Sequence, residues 1–401
     1  MIYKSLLSLI VSFMMLNSCG SNSSDSNKNP TSSDDNKNFS TQEKHFIHNL
    51  FLTEYLWYDQ VASNIDYTQY SESTEMVKSL RVQPYDRWSY TITKQGYENF
   101  VNQKTAGFGF GYTPDLQIYL VRINAPAYGN LKRGDKIIQI NDETASKELI
   151  SQASNNHGVS SKFSILRNNN LIDINITPRR YNYNVSLGKV LSNKVTNVGY
   201  LRLDSFTGTS VAEFEQVFTE FKNARIDDLV IDLRYNSGGS IAAASSLLDN
   251  INNTHPAQRQ VYLDWNPNQK NKNTEYSFED KNEQDGNELN MKRVLFLVTK
   301  NSASASELVI SALKPYLGDS NVITIGTSTH GKNTGMLGRA YNNNYYFLVN
   351  FFIKNNSDHK ISFEGIPPTC HALDDISREM GDPKENMLAI ALYYIVNNQC
   401  P

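Results

Sequence analysis

The chain has 401 residues, more than one small domain uses, so length alone argues for two or three folding units. Its 38 Lys and Arg against 41 Asp and Glu give a net charge of −3 with both signs interspersed. That excludes the clustered basic surface of a nucleic-acid-binding protein. A hydrophobic content of 39% is enough for packed cores.

The first residues read as a targeting segment. Lys4 supplies a positive start, and Leu6 to Leu16 is an apolar run too short to span a bilayer as a helix. Leu16-Asn17-Ser18-Cys19 then resembles the bacterial lipobox, in which the cysteine carries the lipid. Residues 1–19 are therefore expected to be a lipoprotein signal with Cys19 as the lipidation site, and the cell envelope as the location. Residues 20–39 are Ser, Asn and Asp with almost nothing apolar, a flexible tether. Export leaves Cys370 and Cys400 as two thiols in an oxidising compartment, either paired or separately buried.

Ser40-Thr41-Gln42-Glu43 reads as a capping box, and Phe46, Ile47, Leu50 and Phe51 follow at helical spacing. With a second helical stretch at 73–80, residues 40–104 are expected to form a small helical domain. From Thr105 the pattern turns to strands. Gly107-Phe108-Gly109-Phe110-Gly111 precedes Ile118 to Ile123, and Lys162–Arg167 and Leu171–Thr177 flank an Asn turn at 168–170. Together with Leu131-Lys132-Arg133-Gly134-Asp135, this resembles a PDZ domain over 105–180. The resemblance implies that Gly107, Phe108, Gly109 and Phe110 form a carboxylate-binding loop beside a peptide-pairing strand edge.

The remainder alternates. Strands are predicted at 198–203, 229–233, 294–298, 322–325 and 345–353, with helices at 211–221, 241–248, 307–317 and 387–396. Interleaving of this kind argues for an α/β unit with a largely parallel sheet over 181–401. The polar stretch 266–290 reads as an exposed loop.

Chemistry concentrates in Asn301-Ser302-Ala303-Ser304-Ala305-Ser306-Glu307 and in His330-Gly331-Lys332. A serine hydroxyl is a weak nucleophile unless a base takes its proton, and a lysine is a base only if burial lowers its pKa. Taken singly, Ser304 is a helix N-cap and Lys332 a surface charge. Ser302 and Ser306 are rival nucleophiles and His330 a rival base. The histidines show no zinc-peptidase spacing, so no metal and no cofactor are expected.

Ser304-Ala305-Ser306-Glu307, Gly331-Lys332 and Asp232-Leu233-Arg234-Tyr235-Asn236-Ser237-Gly238-Gly239, behind the PDZ-like segment, are similar to the C-terminal processing (tail-specific) serine peptidases. The resemblance covers about residues 41–400. It implies a crotonase-like α/β core with Ser304 as nucleophile and Lys332 as general base. Backbone N–H groups of Ala305 and of Gly238 or Gly239 would form the oxyanion hole, while Arg234 and Asn236 hold the loop. The partners it implies are polypeptides with accessible C-terminal tails, and the membrane through the lipid anchor. Where many members of that family carry a Gln four residues after the lysine, this chain has Met336. The third group is therefore open among Glu307, Asn333 and Thr334. A catalytically inactive peptide-binding lipoprotein on the same scaffold is the alternative.

Overall fold

The computed structural model describes residues 39–192, 196–282 and 284–401. Cys19, the apolar run before it and most of the tether lie outside the described residues. Among the described residues no helix is long and apolar enough to cross a membrane.

The chain opens with α1 (Thr41–Thr53) and α2 (Ser73–Leu80), then β1 (Tyr90–Thr93) and α3 (Lys94–Val101). Ser40 caps α1 by accepting from the Glu43 N–H at 3.2 Å. The Glu43 carboxylate, however, turns outward to the Tyr346 hydroxyl and the Asn342 and Asn344 amides. That is a departure from the reciprocal box, and it ties the helix to a strand some 300 residues away. Ile47, Phe51, Tyr55, Met76 and Val77 share one buried cluster with Met336, Tyr346, Phe347 and Val349. The N-terminal helices thus share their core with the C-terminal half.

A β-rich unit follows: β2 (Lys104–Gly107), β3 (Phe110–Tyr112), β4 (Ile118–Val121), β5 (Lys136–Ile140), β6 (Glu143–Thr144), α4 (Lys147–Asn155), β7 (Ser161–Arg167), β8 (Asn170–Ile176) and β9 (Arg179–Asn182). Asn168 and Asn169 both have positive φ, the requirement of the tight turn joining β7 to β8. Phe108, Ile118, Leu131, Ile140, Phe163 and Ile165 form this unit's own core.

The rest comprises β10 (Ser186–Ser192), β11 (Asn197–Leu203), α5 (Ser210–Ala224), β12 (Asp228–Asp232), α6 (Ile241–Ile251), β13 (Arg259–Trp265), β14 (Thr274–Ser277), β15 (Val294–Val298), α7 (Ala305–Leu317), β16 (Val322–Gly326), β17 (Thr334–Tyr341), β18 (Asn344–Asn355), β19 (Cys370–His371) and α8 (Asn386–Asn397). Six strands form one sheet in the order β10-β11-β12-β15-β16-β19, parallel from β11 onward. Leu229, Ile231, Val294, Phe296 and Val298 face the core of α5, α6 and α7, whereas Val230, Leu295 and Leu297 face α8. Burial on both faces explains why these strands are unbroken apolar runs. A second, antiparallel sheet holds β1, β18, β13 and β14, with β17 also on β18. Its Leu263, Trp265, Phe351 and Ile353 close the far side of the same core.

Two expectations change here. The 266–290 stretch contains β14, which pairs with β13 and sets Phe278 into the core, so it is only partly an exposed loop. Strands β1, β9, β10, β13, β17 and β19 were not anticipated.

Candidate functional site

Three loops leave the carboxyl ends of the adjacent parallel strands β12, β15 and β16 and meet, which is where open α/β sheets place their ligands. The first carries Asn236, Gly238 and Gly239, the second Ser304, the third Lys332.

Ser304 sits between β15 and α7 with φ 56° and ψ −112°. A non-glycine residue rarely occupies that region, at a cost of about 1–3 kcal/mol, and it persists only where its surroundings over-determine it. Here they do. The Ser304 N–H donates to Glu307 Oε2 at 2.8 Å, the Ser304 carbonyl accepts from Leu308 N–H at 2.8 Å, and the Ala303 N–H donates to the Asn236 carbonyl at 3.2 Å. Gly238 packs directly on this turn. A Cβ there would stand 2.9 Å from Ser304 Cβ and 2.8 Å from the Ala303 carbonyl oxygen, closer than side chains tolerate.

The neighbouring serines are committed to structure. Ser302 Oγ donates to the Leu233 carbonyl at 2.7 Å and Ser306 Oγ to the Asn236 carbonyl at 2.8 Å, both with no exposure. Ser304 keeps 5%. Asn236 joins the loops further, donating its amide to the Leu203 carbonyl and accepting the Gly238 N–H at 2.8 Å. The Gly238 N–H thus has a partner within its own loop. Gly239 runs beside Phe206 in a parallel bridge. Ala305, at the first position of α7, has no carbonyl four residues back within the helix to accept its N–H.

Glu307 is the hub. Its Oε2 accepts from Ser304 N–H and from Lys332 N–H at 2.9 Å, and its Oε1 accepts from Gly331 N–H at 2.7 Å and Thr329 Oγ at 2.5 Å. One carboxylate oxygen thus holds the serine and lysine backbones side by side. Burial pushes the Glu307 carboxyl up, and the four donors oppose that rise.

Lys332 is wholly enclosed, and burial brings its ammonium down to about 7, with Asp86 and then Glu307 pulling it back up. An amine with that pKa is half neutral at neutral pH and can accept a proton. His330 is half-buried and pushed below its usual range by burial. Its Nδ1 lies 3.2 Å from the Lys300 carbonyl oxygen.

Residues 197–372 match the peptidase family S41 domain, and residues 42–90 match the peptidase S41 N-terminal domain. The chain carries the domains of peptidase family S41. S41 is a family of serine peptidases, which the geometry around Ser304 fits. The fold is similar to that of a Bacteroides fragilis NCTC 9343 protein classed as an S41 protease, with a TM-score of 0.77 and 21% identity over 93% of this chain and all of that one. A photosystem II D1 C-terminal processing protease aligns at 17% identity, covering 83% of this chain and 94% of its own, with a TM-score of 0.49. No curated protein matches this chain.

Asp86 had given no sign of itself in the sequence. It is fully buried in the N-terminal S41 segment. It accepts from Trp88 N–H at 2.8 Å, Ser89 N–H at 2.9 Å and the Tyr55 hydroxyl at 2.9 Å. Trp88 stands 6.5 Å ring to ring from His330 and stacks on Phe363, so this turn covers the lysine loop. A Pro-Tyr-Asp-Arg-Trp run reads only as a turn; the proximity to Lys332 comes from tertiary packing. Arg234 is buried among Asp232, Asp374 and Glu385 and holds its loop, in keeping with the role given to it. The Gly107–Phe110 segment lies in the β-rich unit: Phe108 is buried in its core and Phe110 half-buried, beside a cleft of about 450 Å³. Cys370 and Cys400 are joined in a disulfide with Cα atoms 5.6 Å apart.

Proposed function

We propose that this chain is an exported, membrane-anchored serine endopeptidase that cleaves polypeptides bearing accessible C-terminal tails. Ser304 attacks the scissile carbonyl while neutral Lys332 takes its proton. The bond from Oγ to carbon forms, the carbonyl π electrons move to oxygen, and the oxyanion is met by the Ala305 and Gly239 N–H groups with the positive end of α7 behind them. The Lys332 ammonium then protonates the leaving amine, and water releases the acyl group by the same route. Asp86 and Glu307 face the lysine and stabilise its protonated form between these steps.

The observation that carries this reading is the pairing of a strained, loop-locked Ser304 with a fully buried lysine whose pKa lies near 7. Residues 181–401 would be the crotonase-like peptidase core, 40–104 its N-terminal helical domain and 105–180 a PDZ domain. The positive φ of Gly107 and Gly109 and the adjoining cleft support a loop that offers N–H groups to a terminal carboxylate. Cys19 would carry the lipid and residues 20–39 the tether, leaving the enzyme in the bacterial envelope.

The test uses one reporter protein with three tails: free-acid apolar, amidated and charged. The free-acid apolar tail should be cut fastest, with all cleavage lost in Ser304→Ala. Equal rates for the three tails would remove tail reading, and cleavage persisting in Ser304→Ala would remove the nucleophile.

A further inference from the structure

Two clefts adjoin between the β-rich unit and the α/β unit. The smaller follows the loop at Gly109–Tyr112. The larger, about 840 Å³, reaches Ser237, the neighbour of the glycine that packs on Ser304. Their walls share Thr105, Ala106, Leu120, Arg122 and Tyr181. A chain bound by its terminus at the small cleft would meet the large one across this shared wall, on the side that carries Ser237.

The charge on the large cleft is one-sided. Lys104, Arg122 and Arg180 line it, with His157 beside them. The single carboxylate on its wall, Asp204, is already taken by Arg202 in a two-pronged pair at 2.6 and 2.8 Å. Ala106 opposes Arg180 across the β2–β9 pair, and Lys104 lies two residues before Ala106. Lys104 and Arg180 therefore project from the same face of that pair. Arg122 is set over the Tyr183 ring at 4.5 Å. Among the described residues none of the three forms an ion pair with a carboxylate of the protein.

We infer that this cleft binds the polypeptide segment upstream of the docked tail and selects for Asp and Glu in it. A concave surface of one sign concentrates the field and raises encounter with the opposite charge by tenfold or more. The inference rests on the peptidase reading above and names its substrate class: tails that are apolar at the terminus and acidic just before it.

Three peptides with one scissile sequence and one free-acid apolar terminus, differing only in an Asp/Glu-rich, Ser/Asn-rich or Lys-rich intervening segment, provide the test. At about 50 mM salt kcat/KM for the acidic peptide should exceed that for the basic one by roughly tenfold, and the gap should shrink at about 500 mM. Lys104→Glu combined with Arg180→Glu, at exposed positions that leave the cores untouched, should invert the order. Arg122→Ala should narrow the gap by itself. Equal rates for acidic and basic peptides, or a preference indifferent to charge reversal, would overturn the inference. If no peptide is cut and Ser304 resists a fluorophosphonate, the peptidase reading itself fails; if the neutral peptide is cut and charge is ignored, only the cleft's selectivity does.

Discussion

Replacing Glu307 separates its mechanical from its electrostatic work. In Glu307→Gln the best orientation keeps the amide oxygen on Ser304 N–H and Lys332 N–H and turns the NH2 toward Thr329 and Gly331. The Thr329 hydroxyl can rotate and accept, but the Gly331 N–H faces another donor and is orphaned. One buried unsatisfied donor costs about 1–3 kcal/mol, a Tm loss of about 1–4 °C for a chain of this size. Glu307→Ala orphans three backbone N–H groups and a hydroxyl, so its cost should exceed about 3 kcal/mol and turnover should vanish as the Ser304 turn relaxes. The charge effect has its own sign. Glu307 pulls the Lys332 pKa upward, so its neutralisation lowers that pKa. The acid limb of kcat/KM in Glu307→Gln then moves to lower pH. Calorimetry and a pH-rate profile on all three proteins read both effects. A Glu307→Ala variant with unchanged Tm and rate, or an acid limb moved upward in Glu307→Gln, would refute the reasoning.

Asp86→Asn keeps the acceptor for Trp88 and Ser89 while removing the larger of the two charges acting on Lys332. Its acid limb should also move to lower pH, with a lower plateau from a less anchored lysine; an unmoved limb would detach Asp86 from the site. Because the folded Lys332 titrates at about 7 and an ordinary solvated lysine at 10.5, the unfolded chain binds the extra proton between those values. Stability should therefore rise with pH from about 7 to 10. Lys332→Met should abolish that rise and raise Tm at neutral pH, as denaturant titrations would show. Cys400→Ser opens the disulfide that pins the end of α8, whose cysteines are 30 residues apart. A cost of about 2–4 kcal/mol is expected, and a reductant should lower the wild-type Tm to match.

The parallel core was legible in the sequence because its strands are buried on both faces. Val294–Val298 reads as a strand from its apolar run alone, and burial then dictates α7 after it. Strand β17 was hidden for an equally physical reason. Its Gly335 and Gly338 lie beneath the rings of Phe351 and Phe347, where a Cβ would stand 2.0 and 2.6 Å from the aromatic carbons. Glycines chosen for close packing carry no strand propensity. At the site, Ser304 and Lys332 were readable by motif, but their joint hold on Glu307 was not. Glu307 stood only as one of three candidates for a third group, and nothing local announces that it reaches residues 329, 331 and 332. Asp86 was further still from view, since its role arises only where the N-terminal turn closes over β17 and β18.

The central claim, that Lys332 is the base for Ser304, is tested most directly by the rate of fluorophosphonate labelling across pH. Labelling should fall on Ser304, rise through about pH 7 as the lysine becomes neutral, and be lost in both Ser304→Ala and Lys332→Ala. Labelling that is flat across this range, or that survives in Lys332→Ala and disappears in His330→Ala, would contradict it.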